Sequence, residues 1–214
     1  MKKKAVIFDL DGTLLDTLED LSRSVNFVLD KFHQPQLSKE KVAGYLGNGY
    51  RELIFKSLKD KEYLNEALEL FNAYYAEHLE DYTSPYPGIL NAISKLSQQN
   101  IKMAIVSNKG DKEVKRLCSK FFYPHISTYI GVKEGIPKKP NPAMLKEALR
   151  LLNANERDCV MVGDGEPDVI MAKSIGMDSI SVLWGFRTKE QLMDVGGKVF
   201  INSPEQFLEK GLII

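Results

Sequence analysis

The chain has 214 residues, 43% hydrophobic and 27% charged, a globular composition with room for one large domain or a domain plus an insertion. Lys plus Arg and Asp plus Glu both number 29, so the zero formal net charge does not favour nucleic acid or an anionic membrane as a partner. No stretch reaches transmembrane length, the first residues lack the apolar run of a signal peptide, and neither cysteine has metal-ligand spacing, so we expect a reduced, cytoplasmic protein.

The first predicted element is a strand over residues 5–8, an apolar run that leads directly into Asp9, Leu10, Asp11 and Gly12. Residues i and i+2 of an extended chain share a face, so the carboxylates of Asp9 and Asp11 are expected to point the same way. Gly12 lets the backbone turn immediately afterwards. Two carboxylates this close repel each other, and Mg²⁺, which prefers oxygen ligands, would offset the repulsion. The alternative is a strand followed by an ordinary Asp-Gly turn.

The next segment, residues 16–83, is predicted to be entirely helical. Apolar residues at helical spacing predict helices at about 18–32, 38–44, 50–58 and 62–82, with a Gly-Asn-Gly turn at 47–49. The sequence Ser-Pro-Tyr-Pro-Gly at 84–88 ends this segment. We therefore predict a core made of residues 1–15 and 84–214, with residues 16–83 inserted as a helical domain.

From residue 88 onward, strands and helices alternate, which predicts an α/β fold with a Rossmann-like parallel sheet flanked by helices. Strands are expected at 101–106, 129–132, 159–162, 179–183 and 198–201. Ligands bind to such sheets beyond the carboxyl ends of the strands. Asp9, Ser107 and Asp164 each follow the last apolar residue of a predicted strand, so we expect one shared site at that edge.

The sequence FDLDGTLLDT at residues 8–17 resembles the first motif of the haloacid dehalogenase-like phosphatases, whose other motifs follow in order along nearly the whole chain. The resemblance implies that Asp9 is the nucleophile, forming an aspartyl phosphate, and that Asp11 is the general acid/base. It also implies a Mg²⁺ cofactor bound by the Asp9 carboxylate, the Asp11 main-chain carbonyl and Asp164 in the fourth motif, GDGEPD.

The second and third motifs, VSN and KPNP, are implied to bind the phosphoryl group through Ser107, Asn108 and Lys139. Asp168, also in the fourth motif, would orient a metal-bound water or Lys139, although the residue alone is equally typical of a helix cap. Gly165 stands where the family commonly has Ser. A hydroxyl contact at this position is therefore not expected, whereas the implied metal ligands are unchanged.

The inserted helices resemble the cap of the subgroup in which an insertion follows the first motif. Within them, LGNGYREL at 46–53 resembles the substrate-specificity loop of phosphoglycolate phosphatases. Outside them, WGFR at 184–187 in the predicted core resembles another segment of the same enzymes. Arg51 in that loop would bind a carboxylate or a second phosphate of the substrate. The alternative for Arg51 is an exposed helix arginine.

The expected function is Mg²⁺-dependent hydrolysis of a small phosphorylated metabolite, with 2-phosphoglycolate as the first candidate. A mutase of the β-phosphoglucomutase type is disfavoured, because such mutases carry a cap histidine twelve residues after the nucleophile, where this chain has Leu21. Dehalogenation is disfavoured because those enzymes lack the second Asp, which is present here as Asp11. Pyrophosphatase activity stays open. A non-catalytic binding protein on this fold is disfavoured by the intact motif residues.

Overall fold

The computed structural model describes residues 3–209 and Ile213, and its main feature is one parallel sheet. The strands of the described residues are β1 (Ala5–Phe8), β2 (Leu15–Asp16), β3 (Ser84–Pro85), β4 (Lys102–Gly110), β5 (Thr128–Val132), β6 (Cys159–Gly163), β7 (Asp178–Val182) and β8 (Val199–Ile201). Six of them form the sheet, in the order β5-β4-β1-β6-β7-β8, with every neighbouring pair parallel. The predicted α/β fold is therefore confirmed, and β1 lies at the centre of the sheet.

Helices cover the sheet and fill the segment between β2 and β3. They are α1 (Leu18–Lys31), α2 (Lys39–Ala43), α3 (Tyr50–Ser57), α4 (Leu64–His78), α5 (Ile89–Gln98), α6 (Asp111–Phe121), α7 (Ala143–Leu152), α8 (Glu166–Ser174) and α9 (Lys189–Asp194). Short 3-10 helices follow at Glu156–Asp158 and Pro204–Leu208. Among the described residues, none of these helices has the length and apolarity needed to cross a bilayer. Sequence patterning did not predict α9, a short helix with few apolar residues.

Both faces of β1 are buried, which explains its uninterrupted apolar sequence. Val6 and Phe8 contribute to one apolar cluster, which includes residues of α1, α4, α5 and α6. Ala5 and Ile7 contribute to a second cluster with residues of α7 and α8. Because alternate residues of a strand point to opposite faces, this short run anchors both layers of helices to the central strand.

The two connections between the helical segment and the sheet lie side by side. Leu15 pairs with Pro85 and Asp16 with Ser84, so β2 and β3 form an antiparallel ribbon that the sequence did not predict. Helices α1–α4 all lie between these strands, although α4 ends at His78, short of the expected residue 82. The division into a core and a helical domain stays a prediction, and residues 1, 2, 210–212 and 214 of the predicted core lie outside the described residues.

Asp20 of α1 fixes the second connection to the helical segment. Its buried carboxylate accepts hydrogen bonds from the main-chain N–H groups of Tyr82, at 3.0 Å, and Thr83, at 2.8 Å. These N–H groups precede β3 directly, so a charged acceptor on α1 sets the path of the chain where it re-enters the sheet. Buried main-chain donors left without an acceptor are costly.

We expect Asp20→Ala to lower the free energy of unfolding by about 1.5–3 kcal/mol, the range for hydrogen bonds to a charged group. Urea unfolding followed by circular dichroism measures the change. Asp30→Ala is the matched control, because Asp30 is an exposed carboxylate on the same helix, and it should change stability by less than about 0.5 kcal/mol. Equal effects of the two substitutions would contradict this role of Asp20.

Candidate active site

The carboxyl ends of β1, β4 and β6 meet at one pocket between the sheet and the helical segment. Of the candidate residues, this pocket brings together Asp9, Asp11, Ser107, Asn108, Lys139, Asp164 and Asp168. β1 pairs directly with β4 and with β6, so the residues that follow the three strands emerge beside one another. The residues that the strand ends were expected to bring together therefore line one pocket.

The turn after β1 requires a glycine. The Asp9 N–H still donates to the Val162 carbonyl of β6, at 2.8 Å, and the chain turns away after Asp11. Gly12 has φ +82°, in the left-handed region that favours glycine. A Cβ atom at this position would also overlap the Asp164 carboxylate and the Phe186 ring. The glycine thus permits both the turn and the close approach of β1 to the residue that follows β6.

Lys139 lies between two carboxylates. Its ammonium group is 2.7 Å from Asp9 Oδ1 and 2.7 Å from Asp168 Oδ1, and its side chain is almost completely buried. The other oxygen of Asp168 accepts the Gly165 N–H at 3.1 Å, directly before the start of α8 at Glu166. Asp168 therefore contacts the Lys139 ammonium and also satisfies a main-chain donor at a helix start.

Asp164 is held by donors from two segments. The Thr13 hydroxyl donates to its Oδ1 at 2.9 Å, and the Phe186 N–H donates to its Oδ2 at 2.8 Å. Burial, together with repulsion from Asp168, nevertheless raises the pKa of Asp164 to about 6 against these donors. The two donors fix the position of the Asp164 carboxylate, whereas burial beside another acidic group raises its pKa.

The pKa of Asp9 is raised by the same causes as the pKa of Asp164. Burial, and then repulsion from Asp168 and Asp164, raise the pKa of Asp9 well above its ordinary value, although Lys139 opposes the shift. Burial alone would lower the pKa of Lys139, but Asp168 and Asp9 raise it above its ordinary value, so this side chain stays charged. The single positive charge of Lys139 does not neutralise the carboxylates of Asp9, Asp164 and Asp168. A further positive charge would stabilise this cluster.

The acidic cluster fits a hard divalent cation such as Mg²⁺. Asp9, Asp164 and Asp168 each present a carboxylate oxygen, and these oxygens lie within 4.8 Å of one another. All three residues are buried, and oxygen donors of this kind are the ligands that Mg²⁺ prefers. From the sequence, Asp11 is expected in place of Asp168, through its main-chain carbonyl and not its carboxylate. The Asp11 carboxylate is paired elsewhere, with Lys109.

Ser107 and Asn108 lie inside β4, which continues to Gly110 rather than ending at residue 106 as expected. Ser107 Oγ accepts the Lys109 N–H at 3.2 Å, so its hydroxyl hydrogen remains free to bind a phosphoryl oxygen. The Asn108 amide nitrogen donates to the carbonyls of Gly47, at 2.9 Å, and Lys139, at 3.0 Å. Its oxygen accepts the Lys139 N–H at 2.8 Å. These contacts join three segments, and a direct contact between Asn108 and substrate stays a prediction.

Lys109 is a site residue to which the sequence analysis gave no role. Its buried ammonium donates to Asp11 Oδ1 at 2.8 Å and to the Tyr75 hydroxyl oxygen at 2.7 Å. Burial alone would lower the pKa of Lys109, but attraction to Asp11 raises it well above the ordinary value. The one available sequence signal was its position directly after Ser107 and Asn108 in a strand that leads to the site.

Arg187 is a second such residue and connects the sheet to the helical segment. Its guanidinium donates to Glu166 at 2.7 Å, to the Leu46 carbonyl at 2.6 Å and to the Ala43 carbonyl at 3.1 Å. Sequence resemblance alone gives the segment WGFR no structural role. In the structure it supplies both this bridge and the N–H group of Phe186 that binds Asp164.

The structure does not bring Arg51 into the pocket. The side chain is exposed and donates to Asn65 of α4 at 3.2 Å, in a separate surface recess. Helix geometry explains the difference. Tyr50 and Leu53 of α3 line the pocket, and Arg51 is rotated about 100° from Tyr50 around the helix axis.

Comparison with known sequences gives a consistent result. The sequence profile of the haloacid dehalogenase-like hydrolases matches residues 6–182. A phosphoglycolate phosphatase of Aquifex aeolicus is 30% identical over 184 residues, which cover 86% of each chain. Phosphoglycolate phosphatase 1 of Pseudomonas aeruginosa is 31% identical over 192 residues, covering 86% of this chain and 70% of the relative.

The fold is also similar to solved structures. A crystal structure from Lactobacillus delbrueckii subsp. bulgaricus, of a protein provisionally named phosphoglycolate phosphatase, superposes with a TM-score of 0.90. It shares 33% sequence identity, and the match covers 99% of both chains. The likeness therefore includes the sheet, the helical segment and the two connections between them.

We expect Mg²⁺ at millimolar concentration to raise the Tm more at about pH 8 than at about pH 5. With a pKa of about 6 when folded and 3.8 as its ordinary value, ion-free Asp164 stabilises the fold at low pH and loses that contribution as pH rises through 6. Bound Mg²⁺ would reverse this loss, and it competes with a proton at low pH. Differential scanning fluorimetry measures both shifts.

The matched control for this measurement is Asp164→Asn, which should show almost no Mg²⁺-dependent shift at either pH. A shift of equal size at both pH values, or one that persists in Asp164→Asn, would contradict a cation site that includes this carboxylate.

Proposed function

This chain belongs to the haloacid dehalogenase-like hydrolases, and on that premise we propose that it is a Mg²⁺-dependent phosphatase that carries the phosphoryl group on Asp9. The observation that supports the proposal most strongly is the meeting of carboxylates, the Ser107 hydroxyl and the buried Lys139 ammonium in one pocket beside β1, β4 and β6. A phosphate monoester is a dianion, so it would bind among carboxylates only where cations are concentrated.

In the first step, the Asp9 carboxylate attacks phosphorus in line with the leaving oxygen, and the bond between phosphorus and that oxygen breaks. The Lys139 ammonium and the Ser107 hydroxyl bind phosphoryl oxygens and orient them for attack. When bound, Mg²⁺ would supply positive charge to the phosphoryl oxygens and the acidic cluster. Protonated Asp11 gives its proton to the leaving alkoxide as the bond breaks.

In the second step, Asp11 accepts a proton from a water molecule, which attacks phosphorus and releases inorganic phosphate from Asp9. The exposure of the two carboxylates supports this division of roles. The Asp9 side chain is 11% exposed and paired with Lys139, whereas the Asp11 side chain is 19% exposed and has one oxygen free of Lys109. Asp11 is thus the better placed of the two to exchange protons with solvent and leaving group.

Hydrolysis rather than phosphoryl transfer between sugar hydroxyls is supported by Leu21. This residue lines the pocket at the position where the mutases carry a histidine. A leucine side chain cannot donate or accept the proton that such a transfer requires.

We propose 2-phosphoglycolate as the substrate, which the names of the relatives from Aquifex aeolicus and Pseudomonas aeruginosa support. The helical side of the pocket favours a small molecule, because it consists of apolar side chains and the backbone around Gly47 and Gly49. Both Asn108 and Arg187 tie this side to the sheet, which restricts the room above Asp9.

We also propose the cytoplasm as the compartment. Cys118 and Cys159 are both buried and unpaired, which is consistent with a reducing environment.

The proposed function is tested by Asp9→Asn in a phosphate-release assay with 2-phosphoglycolate and p-nitrophenyl phosphate. The amide has nearly the same shape but is a poor nucleophile, so we expect turnover to fall by at least about 10⁴-fold while the Tm is retained. The control is Asp16→Asn, an exposed carboxylate of the same motif, which should retain activity. Substantial activity of Asp9→Asn would remove Asp9 as the nucleophile.

A comparison of Arg51→Ala with Arg187→Ala separates two roles of an arginine near the pocket. One role is to bind the substrate, and the other is to hold the helical segment over the pocket. Because Arg51 lies outside the pocket, its loss should change kcat/KM by less than about twofold for either substrate. Loss of Arg187 removes charged hydrogen bonds to two carbonyls of the helical segment and should lower kcat/KM about 10- to 100-fold for both substrates.

A loss with Arg51→Ala that is restricted to 2-phosphoglycolate would restore the sequence-based role of Arg51 as a substrate contact. If Arg187→Ala affects 2-phosphoglycolate alone, Arg187 binds its carboxylate instead of closing the pocket.

A further inference from the structure

We propose that Lys109 is a positioning residue that holds the Asp11 carboxylate in place and is itself held by Tyr75 of α4, so that the general acid/base is aligned only while the helical segment covers the site. This inference rests on the proposed function, because it takes Asp11 as the proton donor. It assigns roles to Lys109 and Tyr75, which lie outside the four sequence motifs.

The contact between Lys109 and Asp11 is suited to positioning. The Lys109 ammonium is 2.8 Å from Asp11 Oδ1, and the lysine side chain is completely buried. Asp11 is partly exposed and lies in a pocket whose other carboxylates repel it. With Oδ1 bound to the ammonium, Oδ2 is left to face the leaving group. A single charged hydrogen bond thus selects one orientation of a side chain that would otherwise rotate.

The helical segment supplies the other half of the arrangement. The Tyr75 hydroxyl accepts a hydrogen bond from Lys109 at 2.7 Å, and the Tyr75 ring centroid is 4.8 Å from the ammonium. The Tyr50 ring of α3 lies 5.8 Å from the same ammonium and packs edge-on against Tyr75 at 5.6 Å. Asp11 follows β1 and Lys109 lies within β4, both in the sheet, whereas Tyr50 and Tyr75 belong to the helical segment.

Removal of these two rings would expose the ammonium to water. In the covered state, a buried ammonium has few acceptors, so the Asp11 carboxylate is its main partner and the pair is rigid. In water the same pair would be weak, because solvent competes for both groups. Displacement of α3 and α4 would therefore release Asp11 as well as open the pocket, and proton donation would be coupled to coverage of the substrate.

The test compares phenyl phosphate with p-nitrophenyl phosphate in single-turnover experiments with enzyme in excess. Release of the phenol reports the first step alone, and phenolate, the stronger base, needs the proton from Asp11 more than p-nitrophenolate does. We expect Lys109→Met to slow phenol release at least about tenfold more than p-nitrophenol release, with substrate affinity changed by less than about twofold. Tyr75→Phe keeps the ring and should show the same preference with a smaller loss, about two- to fivefold.

Two substitutions serve as matched controls. Tyr74→Phe removes a hydroxyl from the neighbouring residue of α4, which stacks on Phe27, and Lys102→Met removes an ammonium from the other end of β4. Both should leave the two rates unchanged. Equal losses on both esters in Lys109→Met, or an effect on affinity alone, would overturn the proposal and make Lys109 a direct ligand of the phosphoryl group.

A structural readout separates this proposal from the proposed function. If the wild-type protein releases no phenol from either ester, the proposed function fails, and crystal structures of Lys109→Met and Tyr75→Phe test the positioning on its own. We expect the Asp11 carboxylate to leave its wild-type position in Lys109→Met and to become less ordered in Tyr75→Phe. An unchanged Asp11 in both variants would overturn the inference.

Discussion

The site depends on one electrostatic constraint: the fold packs four carboxylates around a single pocket and supplies two buried ammonium groups. The acidic residues are Asp9, Asp11, Asp164 and Asp168, and the ammonium groups are those of Lys109 and Lys139. A pair of like charges 4 Å apart costs about 4 kcal/mol at an effective dielectric constant of 20. Folding must offset that repulsion, and the offset comes from main-chain N–H groups, from the two lysines and, in our account, from Mg²⁺.

The two lysines divide this task by position. Lys139 pairs with Asp9 and Asp168 on the sheet side of the pocket, whereas Lys109 pairs with Asp11 and reaches Tyr75 of the helical segment. The helical segment therefore covers the pocket and also contacts one of its charged groups directly, through the hydrogen bond between Tyr75 and Lys109. Arg187 adds hydrogen bonds to carbonyls of the same segment, so coverage of the pocket and the arrangement of its charges depend on overlapping contacts.

The sequence predicted the parts of the site that depend on local patterns. Asp9, Ser107 and Asp164 could be placed together because each follows an apolar strand, and parallel strands align their carboxyl ends without further information. Lys109 could not be assigned in this way, since its partner Asp11 is 98 residues away and its burial depends on two tyrosines of another segment. A lysine beside a loop is usually exposed, so local sequence favoured the wrong environment.

Arg51, unlike Lys109, was singled out by a sequence motif, but its side chain lies outside the pocket. The orientation of α3 decides which side chains enter the pocket, and in that orientation Leu53 and Tyr50 pack into the apolar cluster. The extent of β4 was underestimated for a related reason. The apolar pattern stops at residue 106, and the strand continues because the polar residues after it find partners that the sequence does not reveal.

The central claim is that Asp9 carries the phosphoryl group between substrate and water. Rapid acid quenching of a single turnover with ³²P-labelled substrate, followed by peptide mapping, tests it directly. Our account predicts a labelled acyl phosphate on the peptide that contains Asp9, formed before inorganic phosphate appears and dependent on Mg²⁺. Release of phosphate in the first turnover without any labelled protein, or label on a residue other than Asp9, would contradict it.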